Sequence, residues 1–471
     1  MASTSHAAAR EALSVFVIAS YVRGILCGIY SARWILLREA RSVFRISVAA
    51  FQLRFGTNYG ILVCKIEDLN MIDRPYGLKW LWQWKDQEPI KVVTGIRRCG
   101  KSTLLSMFQG QLREDGINAD QIVAINFEHP DFMELDNSVA VWKYLKPKIV
   151  QGRNTYVFLD EIQRVRDFEK VVDGLFVLPD VDVYITGSNA YLLSGELATY
   201  LSGRYVALHL TPLSFREYYD GVASSESPER AYRDYLAFSS FPHNRAWDKE
   251  PGLVDDYMEG ILNTVLRKDV INRNAFRNPV ALDAVARYVF DNIGNLTSMR
   301  NIATVLKSEG VSIDASSVED YVSALCGAYL AYKAVPKDLR GRELLKSGAK
   351  YYVVDMGLRR FILGSRAFDM GRVLENVIYL ELVRRHHEVY VGRVDGREVD
   401  FVTRDGGDVR YWQVAETLRG EGVRDREFAP LKAIADHCPK TILSLDLDPV
   451  GYDIGIKTMN ALDFLLEKGV E

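Results

Sequence analysis

The stretch Gly95-Ile96-Arg97-Arg98-Cys99-Gly100-Lys101-Ser102-Thr103 places two glycines, a lysine and a hydroxyl at the spacing G-x-x-x-x-G-K-S. Glycines at those two points let a backbone curl so that its N–H groups face one centre, where a polyphosphate would sit. Lys101 would meet the β- and γ-phosphates, and the Ser102 hydroxyl would hold Mg2+. Further along, the apolar run Thr155-Tyr156-Val157-Phe158-Leu159 ends in Asp160-Glu161. Asp160 would bind the hydration shell of the same Mg2+. Glu161 would orient the attacking water, the role that separates a hydrolase from a binder. ATP and Mg2+ are therefore the expected cofactor pair.

Two further positions could serve the same chemistry. A β-rich run at 181–186 ends in Gly187-Ser188-Asn189, and either Ser188 or Asn189 can reach a γ-phosphate or the lytic water from a neighbouring strand. The sequence does not choose between them, and a plain turn is the alternative. Arg204 precedes a run at 205–210 and could stabilise transition-state charge in its own subunit or a neighbour's. A surface arginine without a role is an equal reading.

These residues need a scaffold that delivers strand ends to one edge. Strand 90–94, the phosphate loop and a helix opening at Thr103 give the first unit. Strand 121–127, helix 139–150 and the strands at 155–161, 181–186 and 205–210 continue an alternating pattern, which predicts an α/β fold with a mostly parallel sheet.

The segments Met71-Ile72-Asp73-Arg74-Pro75-Tyr76, Val93 to Ser102, Leu159-Asp160-Glu161-Ile162-Gln163 and Leu210-Thr211-Pro212-Leu213-Ser214-Phe215-Arg216-Glu217-Tyr218 resemble the prokaryotic AAA-family ATPases that carry a C-terminal domain of unknown function 4143. The resemblance runs from about residue 71 to the end. It implies an AAA-like P-loop domain, with Ser188 or Asn189 at the sensor position, followed by a winged-helix region. It also implies a natural start near Met71.

Residues 216–279 predict a helical connector. Residues 280–350 predict three short helices at 280–293, 298–308 and 317–331, with a Ser316/Glu319 capping box before the third and Gly310 ending the second. The basic stretch Lys333, Lys337, Arg340, Arg342, Lys346 and Lys350 follows. Three helices and a basic hairpin make a winged-helix layout, which serves DNA binding through phosphate contacts or docking to a protein; both remain open. Residues 351–471 predict a PD-(D/E)XK nuclease-like α/β domain, with Glu375 on a helix and Asp400 on a strand as metal-binding acids. In the third element Gln413 stands for the acid and Ala415 for the lysine, and Glu416 lies on the opposite strand face. Nuclease activity is not expected.

Of 471 residues, 48% are hydrophobic and 26% charged, which excludes wholesale disorder. A net charge of −3 excludes a globally basic nucleic-acid binder and leaves only local patches. Cys27, Cys64, Cys99, Cys326 and Cys438 are scattered without a Cys-x-x-Cys pair, so a reducing cytoplasm is expected rather than a disulfide scaffold. Residues 1–70 are arginine-rich and acid-poor. An apolar run at 12–30 is interrupted by Arg23, which argues against a membrane span. We expect a non-native or poorly ordered extension there. The predicted whole is an ATP hydrolase that passes nucleotide state to its C-terminal regions. The alternatives are a DNA-binding protein or nuclease gated by ATP, and a signalling switch acting through protein association, with a partner or with copies of its own chain.

Overall fold

The computed structural model describes residues 51–55, 58–62, 71–188, 190–193, 203–243, 250–271, 276, 278–340, 348–364, 369–447 and 451–467; the side chains of 51–62, 191, 193, 267 and 268 fall outside that description. The chain divides into two compact units, Met1–Met71 and Ile72–Glu471. In the first, β1 (Phe51–Phe55) and β2 (Asn58–Leu62) pair antiparallel. The apolar run at 12–30 lies outside the described residues. No helix among the described residues is long and apolar enough to cross a membrane.

The second unit opens with α1 (Pro75–Trp84), β3 (Ile90–Thr94) and α2 (Lys101–Glu114). It continues through β4 (Ile122–Asn126), α3 (Ser138–Leu145), β5 (Thr155–Asp160), α4 (Phe168–Phe176), β6 (Val181–Gly187) and β7 (Tyr205–His209). The five strands are parallel in the order β4-β5-β6-β3-β7. Both β3 and β5 are buried at every residue, as apolar strands covered by helices on two faces must be. The Asn137 side chain accepts from the N–H groups of Val139 and Ala140 and so starts α3. That helix ends at Leu145, short of the expected 150: Pro147 has no N–H to continue the ladder, and the chain tightens into a 3-10 turn over Lys146–Lys148. On one face of the sheet Phe108 packs edge-on to Phe158, while Phe158 and Tyr184 stack with centroids 4.7 Å apart. Burying rings of this size contributes roughly 1.5–3 kcal/mol each.

Helices follow: α5 (Phe215–Val222), α6 (Pro228–Phe238) and α7 (Pro251–Thr264), the last running on into a π-turn at Val265–Ile271. A capping box starts α5, with the Ser214 hydroxyl accepting from Glu217 N–H and the Glu217 carboxylate from Ser214 N–H. Then come α8 (Pro279–Asp291), α9 (Met299–Ser308) and α10 (Ala315–Gly327). The cap of α10 is Asp314, whose carboxylate accepts from Ser317 N–H, and not the expected Ser316; the helix begins earlier because the acid sits where the orphan N–H groups are.

Strands β8 (Ala331–Ala334) and β10 (Lys350–Val353) pair antiparallel beside these helices, while β9 (Pro336–Asp338), between them in sequence, joins another sheet. That sheet also contains β11 (Glu388–Val394), β12 (Arg397–Asp405), β13 (Asp408–Ala415), β14 (Lys440–Ser444), β15 (Gly451–Asp453) and β16 (Ile456–Asn460), in the order β15-β16-β14-β13-β12-β11-β9. Helices α11 (Met356–Leu363), α12 (Met370–Arg385), α13 (Val423–Lys432) and α14 (Ala461–Leu465) complete it. The chain thus crosses the division expected at residue 350. Tyr352 of β10 stacks on Tyr379 of α12, centroids 4.2 Å apart, which joins the hairpin to the large sheet.

His209, at the end of β7, is walled in by Tyr329 and bonded to the Tyr332 hydroxyl at 2.9 Å. Burial, reinforced by the positive charges of Arg384 and Lys101, pushes its pKa down to about 4. An unfolded chain takes up this proton near 6.5, so between 6.5 and 4 the unfolded state binds more protons than the folded one. Stability should therefore fall as pH drops through that window, by up to about 3 kcal/mol, and not change on this account above it. Denaturant melts across about pH 4–7 should show this slope in the wild type and a shallower one in His209→Gln.

Candidate functional site

The phosphate loop leaves β3 with Gly95 at φ 148°, and a Cβ there would lie 2.0 Å from the Leu210 carbonyl oxygen. Only glycine fits. Gly100, at φ 102°, starts α2 without any side-chain cap, so the first-turn N–H groups of α2 face the loop and form an anion-binding end. Lys101 is buried at the mouth of that end. Its ammonium donates to the Gly95 and Ile96 carbonyls at 3.0 and 3.2 Å and stands 3.6 Å from Glu161 Oε1. Ile96 and Cys99 are fully buried and hold the loop to the core, while Ser102 and Thr103 are exposed on the first turn of α2. Arg98 lies over the Tyr257 ring of α7, and Arg97 forms a two-pronged ion pair with Asp269.

Asp160 ends β5, where parallel sheets place their chemistry. Its carboxylate accepts from the Ser102 and Thr186 hydroxyls and from Asn126 Nδ2 at 3.0 Å. Burial pushes its pKa up, and those hydroxyl bonds oppose the rise. A hydroxyl and a carboxylate meeting at the lip of an anion-binding loop are the donor set that Mg2+ takes in phosphate sites, so these residues fit the ion. Glu161 has φ 56°, a left-handed conformation costly for a residue with a long side chain. Its N–H donates to the Thr186 hydroxyl at 2.8 Å, and Gln163 Nε2 donates to its Oε2 at 2.6 Å.

Ser188 is buried at the end of β6, with its Oγ 3.5 Å from Gln163 Nε2 and so beside Glu161. Asn189 lies outside the described residues. Arg204 is not brought to the loop of its own subunit. Its carbonyl accepts from Ile90 N–H at the start of β3. That is a full strand, roughly 16 Å, from the phosphate loop. Its guanidinium pairs with Asp173 and covers Phe176.

Two groups of the site give no signal in the sequence. Arg74, almost fully buried, donates to the Cys99 carbonyl at 2.8 Å, to the Thr211 carbonyl at 2.7 Å and to Glu217 at 3.0 Å. It bolts the phosphate loop to the exit of β7 and to α5. From Thr211 the bonding continues: its hydroxyl accepts from Arg384 of α12, which pairs with Glu381, which also pairs with Arg385. Arg74 and Glu217 sit inside the motifs that carry the family resemblance, but nothing in their local pattern shows a pairing over so long a separation.

The C-terminal cluster differs from expectation in one respect. Glu375 of α12 and Asp400 of β12 do meet, but a lysine is present: Lys350 of β10 stands 2.9 Å from Glu375, 2.6 Å from Glu398 and 4.0 Å from Asp400. Lys350 is therefore buried and is not part of a basic surface. Lys337 and Arg340 of the same stretch pair with Glu388 and Asp395, Lys333 is exposed, and Arg342 and Lys346 lie outside the described residues. Burial alone would lower the Lys350 pKa, but Glu375, Asp400 and Glu398 outweigh it and the net direction is up. Burial and the neighbouring Glu375 hold the Asp400 carboxyl well above the usual carboxylate range. Gln413 accepts from Asp400 N–H and donates to Glu427, Ala415 is buried, and Glu416 is exposed. Among the described residues no three His, Cys, Asp or Glu side chains are disposed to hold a metal ion.

A parallel sheet with this loop and acid pair defines the P-loop class. Residues 87–219 match the family model described as an AAA domain, and residues 229–369 match a domain of unknown function, DUF8612, in place of the expected 4143. An uncharacterized protein of Haemophilus influenzae is 37% identical over 401 residues, spanning 84% of this chain and 99% of that protein. The chain belongs to the family of that protein, and residues 87–219 carry an AAA domain. An uncharacterized protein of Methanocaldococcus jannaschii is 28% identical over 380 residues, covering 78% of this chain and 81% of the relative. Among solved structures, the Walker-type ATPase of Pyrococcus abyssi has a TM-score of 0.44 at 14% identity, covering 62% of this chain and 96% of that one. The ORC1 protein of Aeropyrum pernix, solved with DNA, has a TM-score of 0.30 at 12% identity, covering 63% and 94%.

Cys99 lies in the loop, fully buried. Burial pushes its thiol pKa up, which disfavours the reactive thiolate. Maleimide labelling of the native protein, read by peptide mass spectrometry, should leave Cys99 unmodified, and denaturant should expose it.

Proposed function

We propose that this protein hydrolyses ATP and passes its nucleotide state to the helical and C-terminal regions. One observation carries the reading: Lys101, Ser102, Asp160 and Glu161 converge at a single strand edge, with Ser102 bonded to Asp160 and Lys101 3.6 Å from Glu161. On binding, the Lys101 ammonium exchanges the carbonyls of Gly95 and Ile96 for phosphate oxygens, a stronger, charge-assisted contact. Ser102 and Asp160 would hold Mg2+, which supplies charge neutralisation across the phosphates. Glu161, released from Gln163, orients the water and accepts its proton, and Ser188 stands beside it on β6. The route outward is the bonded series from the Cys99 carbonyl through Arg74 and Thr211 to Arg384.

We read α8–α10 with the β8/β10 hairpin as a winged-helix arrangement used for docking to protein rather than for reading DNA. Its third helix exposes Glu319 and Asp320, and its basic stretch spends Lys337, Arg340 and Lys350 on internal ion pairs. We read the seven-stranded sheet as a PD-(D/E)XK-like fold without cleavage chemistry, because the Lys350 ammonium takes the place between the acids that a metal ion would need.

In purified protein, Lys101→Ala should lose ATP binding by calorimetry. Glu161→Gln should bind ATP as the wild type does yet release phosphate at least about a hundredfold more slowly, since general-base roles are worth roughly that much or more; an unchanged rate would remove Glu161 from the mechanism. Single- and double-stranded DNA should remain uncut with Mg2+ or Mn2+, with or without ATP. Metal-dependent nicking that vanished in Asp400→Ala but persisted in Lys101→Ala would restore a nuclease.

A further inference from the structure

Arg97 follows Gly95 and Ile96 in the phosphate loop, on the side of the loop that faces Glu161, whose charge acts on it. It is not turned into the loop. Its Nε and Nη2 grip Asp269 at 2.7 and 3.2 Å, a fork that satisfies both carboxylate oxygens. A weaker 3.4 Å contact runs to the exposed Glu128, which Arg164 holds at 2.8 Å. Asp269 is 4% exposed and lies in the π-turn Val265–Ile271, where the helix departs from regular geometry. Such π segments are uncommon and recur at functional sites. The phosphate loop therefore holds, by one charged fork, the π segment that continues α7 ahead of α8.

We propose that Arg97 is a nucleotide-responsive switch residue that exchanges Asp269 for the terminal phosphate of ATP, so that the loop grips the π-turn only when no triphosphate is bound. The proposal rests on the reading of this loop as an ATP site. Its physical basis is competition. A guanidinium bonds a phosphate with the same fork it offers a carboxylate, and the terminal phosphate carries more charge than Asp269. Once Arg97 leaves, Asp269 is a buried carboxylate without its cation, which is costly, and the π-turn must loosen to hydrate it. A diphosphate lacks the phosphate that would draw Arg97 away and leaves the fork intact. The exchange is reciprocal: whatever weakens the Arg97–Asp269 fork must favour ATP, and ATP must weaken the hold on the π-turn.

The test compares wild type, Asp269→Asn and Arg97→Lys in binding a non-hydrolysable ATP analogue and ADP, together with amide hydrogen exchange of residues 265–271. Asp269→Asn should tighten the triphosphate by on the order of tenfold, a usual size for such coupling, while ADP affinity stays as in the wild type. The analogue should speed exchange at 265–271 in the wild type, and ADP should not. In Asp269→Asn that exchange should be fast already and unresponsive. Arg97→Lys keeps the charge but loses the fork, so it should also uncouple the π-turn from the nucleotide, and it covers the case in which Asp269→Asn fails to fold. Unchanged triphosphate preference in Asp269→Asn, or a nucleotide-induced change at 265–271 that survives in Arg97→Lys, would overturn the switch alone. Absence of nucleotide binding by the wild type would instead overturn the ATP reading, and the switch with it.

Discussion

A guanidinium cannot shed its charge, so a buried arginine must be met by acceptors on every side. Arg74 is met by the Cys99 carbonyl in the phosphate loop, the Thr211 carbonyl after β7 and the Glu217 carboxylate on α5. Each comes from a different element: shifting either carbonyl leaves a buried N–H without its acceptor, and shifting Glu217 leaves the charge without its counter-ion. Breaking such a buried pair by removing one partner costs roughly 3–5 kcal/mol. The shape of the phosphate loop and the position of α5 are therefore one constraint, not two. Because the Thr211 hydroxyl also accepts from Arg384, the same constraint reaches α12 and the large sheet.

The site itself is held in a resting arrangement. Lys101 bonds its own loop, Glu161 is tied to Gln163 in a left-handed backbone conformation, and Arg97 is turned toward Asp269. In each case a charged group that the proposed mechanism turns to phosphate or water is satisfied by a protein partner in this arrangement. Charged groups left bare in a buried cleft would cost several kcal/mol each, so temporary partners give the resting site its lowest free energy.

The C-terminal cluster follows the same electrostatic rule with the opposite outcome. Glu375, Glu398 and Asp400 crowd together, and Lys350 offsets part of their charge from a strand that belongs to the hairpin, while Asp400 is held well above the usual carboxylate range. A tethered ammonium needs no coordination shell and cannot leave. The cluster thus serves as a joint between β10 and the large sheet, strengthened by the Tyr352 hydroxyl on Glu375 at 2.6 Å and by its ring on Tyr379.

Much of this was legible in the residues alone. The glycine spacing, the lysine and the hydroxyl of the phosphate loop follow from local backbone geometry, as does the apolar strand ending in Asp160-Glu161, because strand, turn and helix are set by neighbours in sequence. The parallel sheet and the three helices of the middle region follow from periodicity for the same reason. Other features depend on residues far apart in the chain. Arg74 meets Glu217, Arg97 meets Asp269, and Lys350 meets Glu375 and Glu398, while Arg204 falls at the wrong end of its strand. No local pattern encodes such meetings. A long charged side chain is compatible with a solvated surface until the fold removes the water, and only tertiary structure decides which charges are buried together and must pair.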